Sequence, residues 1–434
     1  MRRPIIKSQG NHKDNKLRWN FAMGLLHGIF FRGGMAFADP NTILPVFLNN
    51  FTSSKILIGL SSTIMGGLGG ISGVLPQMFV ANRLESRSHK KPVLIISITI
   101  RALCWGLLSL ITYLFAISNP GLTVFSFFLL LIIFTFMGGV AVIPFMDIWG
   151  KAIPSTLRGR FFGHRQLWGG IAAIGSGFIV KAVLGNKGIS FSDKFALIFL
   201  LTFFLLSISY LALASVKEPV EEVYKNQLSF RRFLVKAFKI LKFDSNYRNF
   251  LLVQILSGSN ALALPFYVLY ARNSIGVRLG MIGIFLSAQM LGSILSNPLW
   301  GYLSDFVGNR RVIQMSTFLG LVVPLIALVI TSRLSLLFIL LFIVEGFFMA
   351  GRNIGNTNFL LDMAPPKDRP TYVSLNGTLT FPVSLFPLIG GIIIQYVSYN
   401  FLFMITSSVI FIGFVLSLKL IEPRKGGING KTIS

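Results

Sequence analysis

The sequence predicts an all-α membrane protein: twelve transmembrane helices in two pseudo-symmetric six-helix bundles, with both termini in the cytoplasm. Three observations carry that expectation. The 434-residue chain is 53% hydrophobic and only 12% charged, with mean hydropathy +0.72, more apolar surface than a soluble domain can cover. Apolar stretches of roughly 20 residues recur along it, each long enough to cross a ~30 Å hydrocarbon core. A loop motif near residue 301 has an eroded copy near residue 81, which points to two homologous halves.

The apolar runs fall at roughly 19–48, 56–80, 93–117, 123–150, 162–185, 195–216, 246–271, 278–299, 312–332, 334–361, 371–396 and 399–421. They are rich in Leu, Ile, Phe and Gly with little period-2 alternation, so they read as helices rather than barrel strands. They divide the chain into a tail (1–18), an N-terminal bundle (19–216), a linker (217–245), a C-terminal bundle (246–421) and a second tail (422–434). The linker opens with Glu218, Glu221 and Glu222. It then sets Phe230, Phe233, Leu234, Phe238 and Leu241 at helical spacing opposite Arg231, Arg232, Lys236, Lys239 and Lys242. That pattern is an amphipathic helix lying on an anionic leaflet as a tether between bundles. Gly66, Gly69, Gly70 and Gly73 on the second run, Gly169, Gly170, Gly175 and Gly177 on the fifth, and Gly280, Gly283, Ser287 and Gly292 on the eighth mark close helix packing.

A formal charge of +26 first suggests nucleic acid, but its placement argues for topology. The termini and the loops after even-numbered runs carry 30 Lys and Arg, against seven on the opposite side. By the positive-inside rule that bias puts both termini in the cytoplasm. The expected partners are therefore the lipid bilayer and a small-molecule substrate, with no nucleic acid, and the protein is expected to be a monomer in a bacterial-type cell membrane. Cys104 is the sole cysteine, so one chain can form neither a disulfide nor a thiolate metal cage. No metal and no cofactor is expected beyond a coupling ion. The first apolar run is too long for a cleavable signal peptide.

The loop motif reads Gly301-Tyr302-Leu303-Ser304-Asp305-Phe306-Val307-Gly308-Asn309-Arg310-Arg311. Its copy, Ala81 to Lys91, keeps an acid at Glu85 and paired basic residues at Lys90 and Lys91, while Ala81 and Ser88 replace the glycines. A second repeat sets Pro154 and Arg158 against Pro365 and Arg369. On these residues the chain resembles the major facilitator superfamily over about 19–421. The resemblance implies alternating access, with two bundles rocking around a site near the bilayer midplane lined by spans 1, 4, 7 and 10. It also implies a cytoplasmic gate, which we carry to Gly301, Asp305, Gly308, Arg310, Arg311, Glu85, Lys90 and Lys91, with Asp147, Arg158, Asp362 and Arg369 beside it. The drug-antiporter signature Gly-Pro-x-x-Gly-Gly is missing from the fifth run; only a partial version, Pro387 to Gly391, occurs on the eleventh.

Charges inside apolar runs are the candidate site, because each costs roughly 2.5–3.5 kcal/mol at the bilayer centre. Arg32 and Asp39 lie seven residues apart on the first run, and Glu345 and Arg352 lie at the same spacing on the tenth, with Asn356 continuing that face. Side chains lean toward the helix N-terminus, so Arg352 is expected to approach Glu345, whereas Arg32 and Asp39 each need a partner elsewhere. Pro40 and Pro45 should bend the first run near Asp39. Gln254, Ser257 and Asn260 on the seventh run are candidate hydrogen-bonding groups.

These features give a secondary active transporter for a small polar or charged organic solute, coupled to protons through Asp39 or Glu345. Carboxylates partly withdrawn from water are the groups that exchange protons near working pH. Proton-driven efflux of lipophilic compounds is the alternative, suggested by the Phe- and Met-rich spans. A membrane receptor or enzyme is remoter. No Gly-x-x-x-x-Gly-Lys-Ser/Thr loop occurs, and four histidines with one cysteine are thin material for a catalytic site.

Overall fold

The computed structural model describes residues 7–66, 90–218, 238–365 and 368–423. The eroded loop copy through His89 with Glu85, most of the linker helix, and Gly69, Gly70 and Gly73 lie outside the described residues. Among the described residues the structure is helical. The helices are α1 (Lys7–Phe37), α2 (Ile43–Phe51), α3 (Lys55–Met65), α4 (Lys91–Phe115), α5 (Pro120–Ala152), α6 (Ser155–Gly185) and α7 (Phe191–Ala214). They continue with α8 (Ser245–Ser257), α9 (Asn260–Asn273), α10 (Met281–Phe306), α11 (Asn309–Val329), α12 (Leu337–Met363), α13 (Arg369–Thr380), α14 (Phe386–Tyr396) and α15 (Tyr399–Ser417). Ten helical stretches are long and apolar enough to cross a membrane, counting α8 with α9 and α13 with α14.

Local chemistry fixes where these helices start. Asn119, Ser190, Asp244 and Ser398 each accept a hydrogen bond from the backbone amide three residues on, satisfying a donor that the first turn leaves open. The long helices are apolar on two sides. On α4, Leu94, Ile98, Trp105 and Leu108 are buried, while Leu103, Leu107, Leu110 and Leu114 are exposed. A helix that buries one apolar face and exposes another is solvated by lipid on the second.

The expected first span, 19–48, is two helices. Asp39 Oδ1 accepts from the Asn41 amide at 2.9 Å and from the Thr42 amide and hydroxyl at 2.8 Å each, starting α2 afresh just after Pro40. Proline cannot donate to the preceding turn and the carboxylate caps the next one, so the chain breaks here rather than bending smoothly. The expected seventh span, 246–271, also breaks, at Gly258 and Ser259 between α8 and α9. The Gly258 amide reaches the Gln254 carbonyl at 2.9 Å, and the Ser259 amide tightens to the Leu256 carbonyl at 3.2 Å.

By contacts the chain forms two compact units: Met1–Phe51, Ile64–Lys225 and Leu279–Ser287 in the first; Thr52–Thr63, Asn226–Arg278 and Ala288–Ser434 in the second. Small residues hold each together. In the first unit a Cβ on Gly177 or Gly283 would strike the other's carbonyl, and Ser287 Oγ donates to the Ile174 carbonyl at 2.9 Å. In the second, a Cβ on Gly59 would strike the Pro387 carbonyl, and one on Gly391 the Lys55 carbonyl. Backbones this close admit only glycine.

Candidate functional site

The second unit places its charged cluster at the break in span 7. Glu345 on α12 is fully buried, and its Oε1 accepts from Asn260 Nδ2 at 2.8 Å. Asn260 is the first residue of α9, so the interruption of the helix is what presents its side chain to the acid. Glu345 Oε2 and Asn260 Oδ1 have no hydrogen-bond partner among the described residues. Two turns along α12, Arg352 Nη2 donates to the Gln254 carbonyl at 3.2 Å. A Cβ on Gly258 would lie 2.8 Å from that nitrogen, so the glycine makes room for the guanidinium. Arg352 therefore meets the broken backbone, and Glu345 meets Asn260, rather than the two meeting each other. The two remain close enough to interact electrostatically, in line with the expected approach, but among the described residues they form no direct ion pair. Gln254 takes part through its carbonyl, and Asn356 stands one turn beyond Arg352. Tyr267 OH and Gln289 Oε1 are further buried polar atoms without partners in this unit.

The first unit has a different cluster, on α1 and α6. Arg32 donates through Nη2 to Gln166 Oε1. Arg165, beside Gln166, sits among Phe145, Trp149, Phe161 and Phe162, with its guanidinium carbon 5.4–6.0 Å from the ring centroids. Arg32 and Arg165 repel each other electrostatically. Asp39 does not join them: it is spent on its own cap. His27 bonds Ser209, and Arg101 lies 4.3 Å over the Phe134 ring.

The loop ends carry a repeated capping device. In the second unit Glu422 Oε2 accepts from the Arg310 amide at 2.7 Å, and Arg310 Nη2 donates to the Leu418 carbonyl at 2.7 Å. Gly308 has φ +116°, and a Cβ there would meet the Glu422 carboxylate, so the motif's second glycine is required on two counts. Gly301 faces open space. Arg311 bonds Gln314, Asn309 donates to Asp362 at 2.7 Å, and Arg369 reaches the Leu361 carbonyl at 3.4 Å. Asp305 is exposed, and among the described residues no hydrogen bond or ion pair reaches it. In the first unit Glu218 accepts from the Lys90 and Lys91 amides at 3.2 Å each, and Asp147 pairs with Lys90 at 3.0 Å and Lys151 at 2.7 Å. Arg158 donates to the Ile153 carbonyl at 3.0 Å.

Charge counting reached Arg32, Glu345 and Arg352. It did not single out Arg165, near the start of the fifth run, which α6 carries beside Gly28, nor give a capping role to Glu218 and Glu422. A signal for the last two was present: each stands immediately before a proline, Pro219 and Pro423, after the sixth and twelfth runs.

Comparison with known proteins agrees with this architecture. Residues 250–432 match the family model of the Major Facilitator Superfamily. The chain is 30% identical over 173 residues to multidrug resistance protein MdtG of Enterobacter lignolyticus, covering 38% of this chain and 40% of that protein. It is 28% identical over 185 residues to the staphyloferrin B transporter of Staphylococcus aureus, covering 41% and 44%. The matches thus span less than half the length of these relatives. A crystal structure of the nucleoside transporter NupG has the same fold, with TM-score 0.67 at 16% identity over 94% of this chain and 99% of that one. A POT family transporter does likewise, at TM-score 0.66 and 12% identity.

Proposed function

We propose that the chain, a multi-pass membrane protein whose residues 250–432 match the Major Facilitator Superfamily, is a secondary active transporter in a cell membrane, moving a small polar or charged organic solute by alternating access with proton coupling. The observation that carries this reading is Glu345. Its carboxyl is out of water, one oxygen bonded to Asn260 and the other unbonded. An acid in such a place is held neutral or is matched by a cation, and a change in its surroundings exchanges one state for the other. Arg352, two turns away and bonded only to a carbonyl at the span 7 break, is the cation able to move toward it.

The second element is the gate. The Glu422–Arg310 and Glu218–Lys90 contacts tie the start of a helix to the segment after the sixth or twelfth run. Such charged contacts at helix ends are made or broken for a few kcal/mol. Asp305, exposed in this structure, is the group left to engage when the loop closes. The charge bias puts these loops and both termini on the cytoplasmic side.

Uptake of solutes into proteoliposomes with and without an imposed pH gradient tests the reading. The gradient is expected to drive accumulation, and Glu345→Gln to abolish it. Gradient-driven accumulation unchanged in Glu345→Gln would defeat proton coupling through this residue. A second reading, proton-driven export of lipophilic compounds, draws on the names of the multidrug resistance relatives. It predicts a broad resistance profile on expression and no dependence on solute charge.

A further inference from the structure

Resting on the transporter reading, we propose that the solute is an organic anion whose carboxylate or phosphate is held by Arg32 and Arg165. The two arginines are seated reciprocally. On α1, Gly28 precedes Arg32 by one turn; on α6, Arg165 precedes Gly169 by one turn. A Cβ on Gly28 would fall 2.6 Å from the Arg165 side chain, and one on Gly169 would fall 2.6 Å from Arg32 Cδ. The same Cβ on Gly169 would lie 3.0 Å from the Gly28 carbonyl, so the helices touch backbone to backbone there. Each helix therefore lays its arginine across the other's glycine, which fixes where both side chains leave the helix. The four-residue offset separates the two residues by about 6 Å of helix rise.

Among the described residues no acid neutralises the pair. Arg32 bonds an amide oxygen and Arg165 faces aromatic rings, and neither contact supplies negative charge. The acids of this unit whose side chains are described are committed elsewhere. Asp39 caps α2, Asp147 pairs with Lys90 and Lys151, Glu218 caps α4, and Asp193 lies in the first turn of α7. Arg101 adds a third cation within a spanning helix. Each such charge costs roughly 2.5–3.5 kcal/mol in the membrane unless compensated. Arg32 is exposed and Arg165 half-buried, so their remaining N–H donors are accessible. Guanidinium groups bind carboxylate and phosphate through paired hydrogen bonds, and two of them at this spacing fit a solute with more than one anionic oxygen group.

The test uses the full chain in proteoliposomes and a solute panel: citrate and malate as carboxylates, glycerol 3-phosphate as a phosphate, inositol and uridine as neutral solutes, tetraphenylphosphonium as a cation. Transport is expected only in the anionic sets, the carboxylate and phosphate arms telling which head group is preferred. Arg32→Gln and Arg165→Gln are each expected to lower it at least about tenfold, with Arg32→Lys and Arg165→Lys keeping part of it. Where a glutamine variant fails to fold, the lysine variants decide, since they keep the charge and lose the planar fork. Transport confined to neutral or cationic solutes overturns the proposal, and so does a double glutamine variant that moves the anion at the wild-type rate. If no solute of any class moves, with or without a gradient, the transporter reading itself falls.

Discussion

The two units treat membrane-embedded charge in opposite ways. In the second, Glu345 is fully buried with its own amide partner, and Arg352 shares a backbone carbonyl in the last turn before a helix break. In the first, Arg32 and Arg165 share no acid among the described residues, and one of them is exposed. A buried acid with a cation two turns away suits proton exchange, whereas accessible guanidinium groups without an acid among the described residues suit a ligand that arrives and leaves. The difference teaches that homologous halves need not share one chemistry: the loop caps repeat, and the spanning charges do not.

The sharpest way to break this contrast is to remove one polar partner from each cluster. Asn260→Leu strips Glu345 of its hydrogen bond in full burial and is expected to cost about 1–3 kcal/mol or more, read as a lower Tm of the purified chain. Gln166→Leu removes the Arg32 partner at an exposed position and is expected to stay within ~0.5 kcal/mol. Equal losses would mean that both clusters are structural.

A next test concerns the loop caps that the halves do share. Gly308→Ala forces a side chain into φ +116° against Glu422 and is expected to cost about 1–3 kcal/mol. Glu422→Gln, at a position only 8% exposed, is expected to cost about 1 kcal/mol, and Glu218→Gln, half-buried, less. Thermal unfolding of the three variants gives that order, and a larger effect from Glu218→Gln would contradict the burial argument.

The smallest effect is expected at Asp39. Asn caps helices about as well as Asp, so Asp39→Asn keeps the α2 cap and should leave gradient-driven uptake within about twofold. Loss of uptake in that variant would move the coupling proton to the first unit and reverse the assignment made here.

The chain's helices were legible because a charge inside an apolar run, or a proline after a carboxylate, has a local cost that sequence exposes directly. Glu345, Arg352, Arg32 and the break near Pro40 are of that kind. Asn260 and Gln254 were readable as hydrogen-bonding candidates, but which charge each meets is set by folding, and Gln166 carries no charge to mark it. Arg165 was hidden for another reason: it follows Arg158 and Arg160 at the basic start of α6, so spacing alone reads it as loop. The break of span 7 rests on two small residues, Gly258 and Ser259, in a run otherwise apolar enough to pass as one helix. The copy of the Glu422 cap at Glu218 was readable from the paired Glu-Pro sequences, which follow the sixth and twelfth runs within two residues.

The measurement that bears most directly on the division of labour compares two activities in the same liposomes: solute exchange across the membrane without net flux, and accumulation against a gradient. Glu345→Gln is expected to keep exchange and lose accumulation, whereas Arg32→Gln is expected to lose both. Retained accumulation in Glu345→Gln, or intact exchange in Arg32→Gln, would contradict the account.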